Sequence, residues 1–174
     1  MEERKLSEVM RFTLGKNPTR MKETQVELYM PEDFESDFNF QDSEESRKDC
    51  IINLIKSKAA PISIKNMEKC ITSNFLRGEF DERLIDGWFF CYKFNEGRDL
   101  EQQIAMFHQG NTLSVKKLNM KTVGELRIKL PNLEKQIVIG DMYKQSLIQK
   151  ERMLSQAKQI NIYTLEMIRK IEED

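Results

Sequence analysis

The chain is poor in the residues on which most catalytic and cofactor sites depend. In 174 residues it has one histidine, seven glycines, four prolines and three cysteines. A single histidine, His108, leaves no cluster of imidazoles for a metal, and nucleophile motifs such as G-x-S-x-G are absent. The few glycines do not form G-x-x-x-x-G-K-S/T or G-x-G-x-x-G, so no phosphate-cradling loop is present. Cys50, Cys70 and Cys91 are odd in number and far apart, which argues against a disulfide framework or a zinc site and for reduced, partly buried thiols. The acidic stretches lack calcium-loop spacing. No apolar run approaches the roughly 20 residues that cross a bilayer. The opening "MEERKLSEVM" carries acids where a signal peptide has a basic region, so the expected location is the cytoplasm.

The net charge of −1 gives no global sign of a polyanion binder. It is unevenly spread, however. Residues 24–49 hold nine acids against Arg47 and Lys48, a local net of −7 that leaves +6 for the rest of the chain. Three phenylalanines, Phe34, Phe38 and Phe40, lie in this acidic stretch and predict a docked loop or short helix.

With few prolines and glycines, most of the chain is expected to fold, and a domain of this length buries about 70% of its unfolded surface. "KLSEVMRFTL" opens with a short apolar segment that ends at the Gly15–Pro18 loop, and "VELYM" alternates like a strand. "CIINLI", "AAPISI" and "KCITSNFL" predict three further strands, with Pro61 at an edge or bulge. "DERLIDGWFFCYKF" predicts a helix with Asp81 as its N-cap; "DLEQQIAMFHQ" predicts a second, with Leu100, Ile104 and Phe107 on one face and Gly110 as its stop. Residues 118–125 can form a helical turn, and "LRIKL" is the last strand before Pro131. The fold class predicted is α+β: a globular body of mixed short strands and helices over 1–130, then one long coiled-coil helix over 131–174.

In that last segment Tyr143, Leu147, Leu154, Ala157, Ile160, Met167 and Ile171 recur at steps near three and four, with Lys150, Asn161 and Thr164 interrupting the seam. A helix of this extent is about 60 Å long and outruns its domain. Its stripe predicts pairing with another helix; folding back on its own body is the alternative.

Several segments in order resemble the DNA-specificity subunit of type I restriction–modification systems. They are "KLSEVMRFTLGKNPTR", "VELYMPEDFESDF", "DCIINLIKSKAAPIS", "LIDGWFFCYKFN" and, most specifically, "GNTLSVKKLNMKTVGELRIKLPNLEKQIVIGDMY". In the last, Gly110, Thr112, Leu130, Pro131, Leu133, Glu134, Gln136 and Ile139 carry the pattern. Family members usually have two target recognition domains and two long helices, whereas this chain has one of each and looks like a half-length form. The resemblance implies a non-catalytic subunit that dimerises through its helix, recognises a bipartite site in double-stranded DNA, and recruits methyltransferase and restriction subunits for host defence.

Under that resemblance the DNA contacts would come from Lys16, Asn17, Thr19 and Arg20 in the Gly-Lys loop, Lys56 and Lys58 after the first buried strand, and Asn111 and Thr112 in the "GNT" loop. Each could equally be a solvated loop residue. The seven apolar residues from Tyr143 to Ile171 would form the helix-pairing interface. No metal ligand, catalytic residue or cofactor is expected; ATP and S-adenosylmethionine would belong to partners. Two other readings stay open. One is a coiled-coil interaction or regulatory protein derived from the fold, kept off DNA by its acidic stretch. The other is a small enzyme built around His108 and nearby carboxylates.

Overall fold

The computed structural model describes residues 2–17, 27–39, 45–109 and 117–173. Its centre is an antiparallel sheet of four strands in the order β2-β7-β4-β5: Met10–Leu14, Phe75–Phe80, Glu45–Asn53 and Lys58–Ser63. Successive side chains of β4 enter opposite cores. Cys50 and Ile52 face one and Ile51 the other, and all three are fully buried. "CII" therefore reads as a continuous apolar run, because both faces of a central strand are covered. Pro61 sits in β5, at the edge of the sheet, where it deprives no neighbour of a hydrogen bond.

The larger core lies under three helices, α2 (Gly87–Glu96), α3 (Arg98–Gln109) and α4 (Met120–Glu125). Between its two ends α2 buries Trp88, Phe89, Phe90, Cys91 and Phe94, because it is sandwiched between the sheet and the final helix. Its N-cap is Asp86, whose carboxylate accepts from the Phe89 N–H at 2.8 Å. Asp81, the N-cap expected from sequence, instead holds a turn: its carbonyl accepts from Leu84 and Ile85, and its carboxylate takes the Arg83 guanidinium at 2.8 Å. On α3, Leu100 and Ile104 are buried and Phe107 packs against them, the face that the spacing predicts.

The smaller core, on the opposite face, brings Ile51, Ala60, Ile62 and Phe75 against Tyr29 and Ile71, which lie in the short parallel pair β3 (Leu28–Tyr29) and β6 (Cys70–Ile71), and against Phe34 of α1 (Pro31–Phe38). The predicted strand "KCITSNFL" is two strands, β6 and β7, separated by a turn in which the Phe75 N–H donates to the Thr72 carbonyl at 2.9 Å. The chain's first strand β1 (Glu2–Lys5) pairs antiparallel with β8 (Arg127–Leu130).

A single helix, α5 (Leu133–Glu173), makes up the last 41 described residues. Its early turns lie along α2, to which three side-chain positions fit it. Gln136 Oε1 accepts from the Asp86 backbone N–H at 3.1 Å, while its Nε2 donates to the carbonyls of Leu84 at 3.1 Å and Pro131 at 2.9 Å. Gly140 is fully enclosed; a Cβ there would overlap Asp86 Oδ1 and stand 2.8 Å from the Phe89 nitrogen. Tyr143 packs between the rings of Trp88 and Tyr92 and accepts from Asn95 Nδ2 at 3.2 Å. From Arg152 to Glu173 every residue is exposed.

Candidate functional site

The antiparallel order brings four chain segments to one end of the central sheet: the end of β2 with Gly15–Asn17, the β4–β5 turn, the Thr72–Asn74 turn, and Lys117. All four described residues proposed from the resemblance as DNA contacts, Lys16, Asn17, Lys56 and Lys58, lie at this end. Thr19, Arg20, Asn111 and Thr112 lie outside the described residues. Main-chain bonds lock the end together. The Gly15 N–H donates to the Phe75 carbonyl at 3.1 Å, the Lys16 N–H to Ile71 at 3.0 Å, the Leu54 N–H to Asn74 at 3.0 Å, and the Leu118 N–H to Leu54 at 2.9 Å. Gly15 is required for this: any Cβ at that position would run into the Thr72 carbonyl.

The four residues are not equivalent. Lys16 and Asn17 are exposed where β2 gives way to its loop. Lys56 is ion-paired with Glu35 of α1, and its backbone N–H donates to Asn53 Oδ1 at 3.0 Å. Lys58 donates to the Asn95 carbonyl at 2.6 Å, with Glu96 at 3.9 Å, so it neutralises the C-terminal end of α2. Beside it, Asn95 grips the edge strand β5, donating to the Ala59 carbonyl and accepting from its N–H, both at 2.8 Å. Lys56 and Lys58 are thus engaged with other elements of the fold, and Lys16 is exposed. Sequence reasoning missed Lys117, whose ammonium donates to the Ser73 carbonyl and to Asn74 Oδ1, both at 2.9 Å. Only proximity across 43 or more residues reveals it.

His108 also sits at this end, with Nε2 3.5 Å from Ser57 Oγ, its ring against Phe107, and Nδ1 buried without a partner. No carboxylate bonds to the ring among the described residues, so the orienting acid that a general base would use is not beside it. Nor do the described residues gather three or more candidate metal donors.

Five acids of the acidic stretch are paired within the fold. Asp37 accepts from Tyr29 Oη at 2.7 Å, the Ser63 N–H at 3.3 Å and Asn66 Nδ2 at 3.0 Å. Burial holds its carboxyl above the ordinary range, against the pull of those hydrogen bonds. Lys69 binds both Glu27 and Asp33 at 2.9 Å, Arg77 pairs with Asp49, and Glu35 is taken by Lys56.

The helix-pairing residues divide. Tyr143 and the half-buried Leu147 are turned to their own body, whereas Leu154, Ala157, Ile160, Met167 and Ile171 are exposed. Two lines of side chains run along the free half. Met153, Ala157, Ile160, Thr164, Met167 and Ile171 alternate steps of four and three, and Thr164 hides its hydroxyl by donating to the Ile160 carbonyl at 2.9 Å. Leu154, Leu165 and Ile168 prolong the line of Gln136, Gly140 and Tyr143, about 100° around the helix. No helix among the described residues is long and apolar enough to cross a membrane.

No family model and no curated protein matches the sequence. Solved structures do match. The HsdS subunit from Thermoanaerobacter tengcongensis superimposes with a TM-score of 0.54 at 16% identity, over 87% of this chain and 39% of that one. A chain from a structural study of complex assembly and conformational transition in the type I R-M system gives 0.57 at 15% identity, over 90% of this chain and 41% of that one. This chain is therefore an α+β body with a long C-terminal helix that has the fold of about two fifths of a type I restriction–modification HsdS subunit.

Proposed function

We propose that this chain is a DNA-specificity subunit of a type I restriction–modification system, in which residues 1–130 recognise a half-site and the helix of 131–174 pairs and docks partners. The observation that carries the reading is an HsdS-like fold extending over 87–90% of the chain. The exposed cation Lys16 and the amide Asn17, at one end of the sheet, supply chemistry for phosphates and base edges: phosphate contacts set register, and base-edge hydrogen bonds carry sequence. The pairing of Glu27, Asp33, Glu35, Asp37 and Asp49 within the fold weakens the case for a protein kept off DNA by its acidic stretch.

The narrow line from Met153 to Ile171 suits one helix of a second copy, and a two-fold pair would present two recognition domains to a bipartite site. The second line, through Leu154, Leu165 and Ile168, widens the apolar surface beyond a two-helix seam and suits helices of a methyltransferase subunit. Catalysis belongs to such partners. The methyltransferase would flip a base and transfer the methyl group, and a restriction subunit would join through the complex; this chain would hold no cofactor. Its place of work would be the cytoplasm.

Light scattering of the purified chain, alone and with a type I methyltransferase subunit, tests this. The expected mass is twice 20.7 kDa, rising as methyltransferase subunits bind. Combining Leu154→Asp with Ile160→Asp should return the monomer with the Trp88 environment unchanged. A monomer that ignores the methyltransferase and binds no DNA would overturn the reading.

A further inference from the structure

The line of side chains that ends at Ile171 does not begin at Met153. Toward the body it runs back through Gln149, Ser146, Met142 and Ile139 to Lys135, all within about 40° of one bearing around α5. Met142 is 69% exposed on this stretch, although Gln136 and Gly140 on the neighbouring face are buried. The whole line therefore spans about 54 Å rather than the roughly 27 Å of the free half, and Met153 is its midpoint.

Where the line begins, α5 forms one wall of a groove of about 510 Å³. Phe89, Tyr92, Pro131 and Ile139 supply its apolar lining, and Arg98, Lys129 and Lys135 stand exposed around it. The two acids there are already engaged: Asp99 is paired with Lys93 at 2.5 Å, and Glu96 has Lys58 at 3.9 Å. By contrast, the cationic groups of Arg98, Lys129 and Lys135 have no partner among the described residues. Arg98 and Lys135 also lie in the first turns of α3 and α5, where the helix dipole is positive and disfavours a further cation. A groove so charged favours carboxylates carried on an apolar segment.

Such a segment stands at the other end of the line, where Glu172 and Glu173 follow Ile171. A parallel pair of helices would set two acidic ends against each other and leave both cationic grooves unpartnered. We propose that two copies pair antiparallel, crossing at Met153, and that the groove beside α2 in each body seats the helix end of the other copy, with Ile171 on its apolar lining and Glu172 and Glu173 at its cations; this rests on the helix-pairing part of the reading above. In this register Ile160 falls on Ser146, Met167 on Ile139, and Ile171 on the aliphatic stem of Lys135 beside Pro131. Overlap of the free halves alone would leave Ile139, Met142 and both grooves in water. The body is thus part of the pairing surface, and its cations make the register selective.

The test is sedimentation equilibrium of the full chain at several salt concentrations. Lys129→Glu with Lys135→Glu, or Glu172→Lys with Glu173→Lys, should each raise the dimer dissociation constant on the order of tenfold, since two symmetric contacts change at once. Combining all four substitutions exchanges the charges and should bring the constant back toward the wild-type value. The wild-type constant should itself rise with salt. Register is read from nitroxide labels on Met153→Cys or Ile171→Cys in a Cys70→Ser background, Cys50 and Cys91 being buried. In the dimer the labels should lie side by side at 153 and about 54 Å apart at 171.

A short distance between labels at 171 marks a parallel pair, and a long one at 153 marks another register; either overturns the proposal while leaving helix pairing intact. One-sided reversals that leave the constant unchanged, or a combined variant as weak as they are, would do the same, because the acids and the groove would then not meet. A chain that stays monomeric at every concentration would overturn both the proposal and the pairing on which it rests. Trp88 fluorescence and far-ultraviolet circular dichroism of each variant, expected to match wild type, establish that the fold is retained.

Discussion

Removing the Gln136 side chain should loosen the long helix from its body by an amount that the local hydrogen bonds allow to be worked out. Gln136 is 1% exposed, and its side chain serves one N–H and two carbonyls, on Asp86, Leu84 and Pro131. In Gln136→Ala the Asp86 N–H loses its acceptor, at a cost of about 1–3 kcal/mol for a buried unsatisfied group. The two carbonyls lose a shared donor, which brings the expected total to about 3 kcal/mol, a large share of the roughly 5–15 kcal/mol typical of a domain. The melting temperature should fall by about 6–12 °C at this chain length.

Urea unfolding followed by Trp88 fluorescence is the assay. Trp88 is the only tryptophan and packs against Tyr143 at this helix contact, with Lys144 Nζ 5.7 Å from its ring centroid. A lower midpoint at unchanged slope is the expected result. Gln136→Glu separates the two roles of the amide. Its carboxylate can still accept from Asp86 but cannot donate to either carbonyl, so near neutral pH it should be at least as damaging as alanine. Burial would raise the folded pKa of this glutamate above the unfolded value of about 4.3. Stability is then regained below the unfolded value, where the acid can donate, and lost as pH rises through the folded value. The deficit of Gln136→Glu should shrink on acidification while that of Gln136→Ala stays constant. A change under about 0.5 kcal/mol for Gln136→Ala would refute the claim that this amide secures the helix.

Three further outcomes follow from other contacts. Gly140→Ala adds a methyl that meets Asp86 and the Phe89 nitrogen, so overpacking of about 1–3 kcal/mol should outweigh the roughly 1 kcal/mol gained in helix propensity, as urea midpoints will show. Absorbance at high pH should reveal late-titrating tyrosines: burial pushes Tyr143 up to about 12, and burial with the Asp37 carboxylate raises Tyr29 further. Because both are raised above the unfolded value, their contribution is intact below pH about 10 and is lost as pH climbs through the folded values. Lys16→Ala should weaken DNA binding evenly across sequences and reduce the slope of log affinity against log salt by about one, measured by titration at several salt concentrations; an unchanged slope would remove Lys16 from the interface.

The elements that the sequence disclosed were those whose own spacing records their surroundings. The Leu100–Ile104–Phe107 face of α3, the alternation of β8 and the extent of α5 all follow from one-dimensional periodicity. The break inside "KCITSNFL" was signalled by the turn residues Thr72, Ser73 and Asn74, but the flanking β-branched and aromatic residues concealed it. Asp81 and Asp86 are equally good caps on paper. Only the arginine two residues after Asp81, and the Gln136 that fixes the Asp86 segment from 50 residues away, distinguish them. The site was the least legible part, because its distinctions are ion pairs and hydrogen bonds between distant segments: Lys56 with Glu35, Lys58 with Asn95, Lys117 with Asn74. Gln136 belongs to the most specific motif of the resemblance, yet its role as the joint between helix and body needed three dimensions.

That joint governs the azimuth of the free helix. Gln136 and Gly140 set the rotation of α5 about its own axis, and every apolar side chain from Met153 to Ile171 inherits its bearing from them. One residue inserted after Leu147 would turn those side chains by about 100° and advance them only 1.5 Å, whereas seven would return them within about 20° of their starting bearing and advance them about 10 Å. The joint should therefore tolerate changes of length by whole heptads and resist changes of phase, so that the angle between body and partner is preserved while their separation is free to vary.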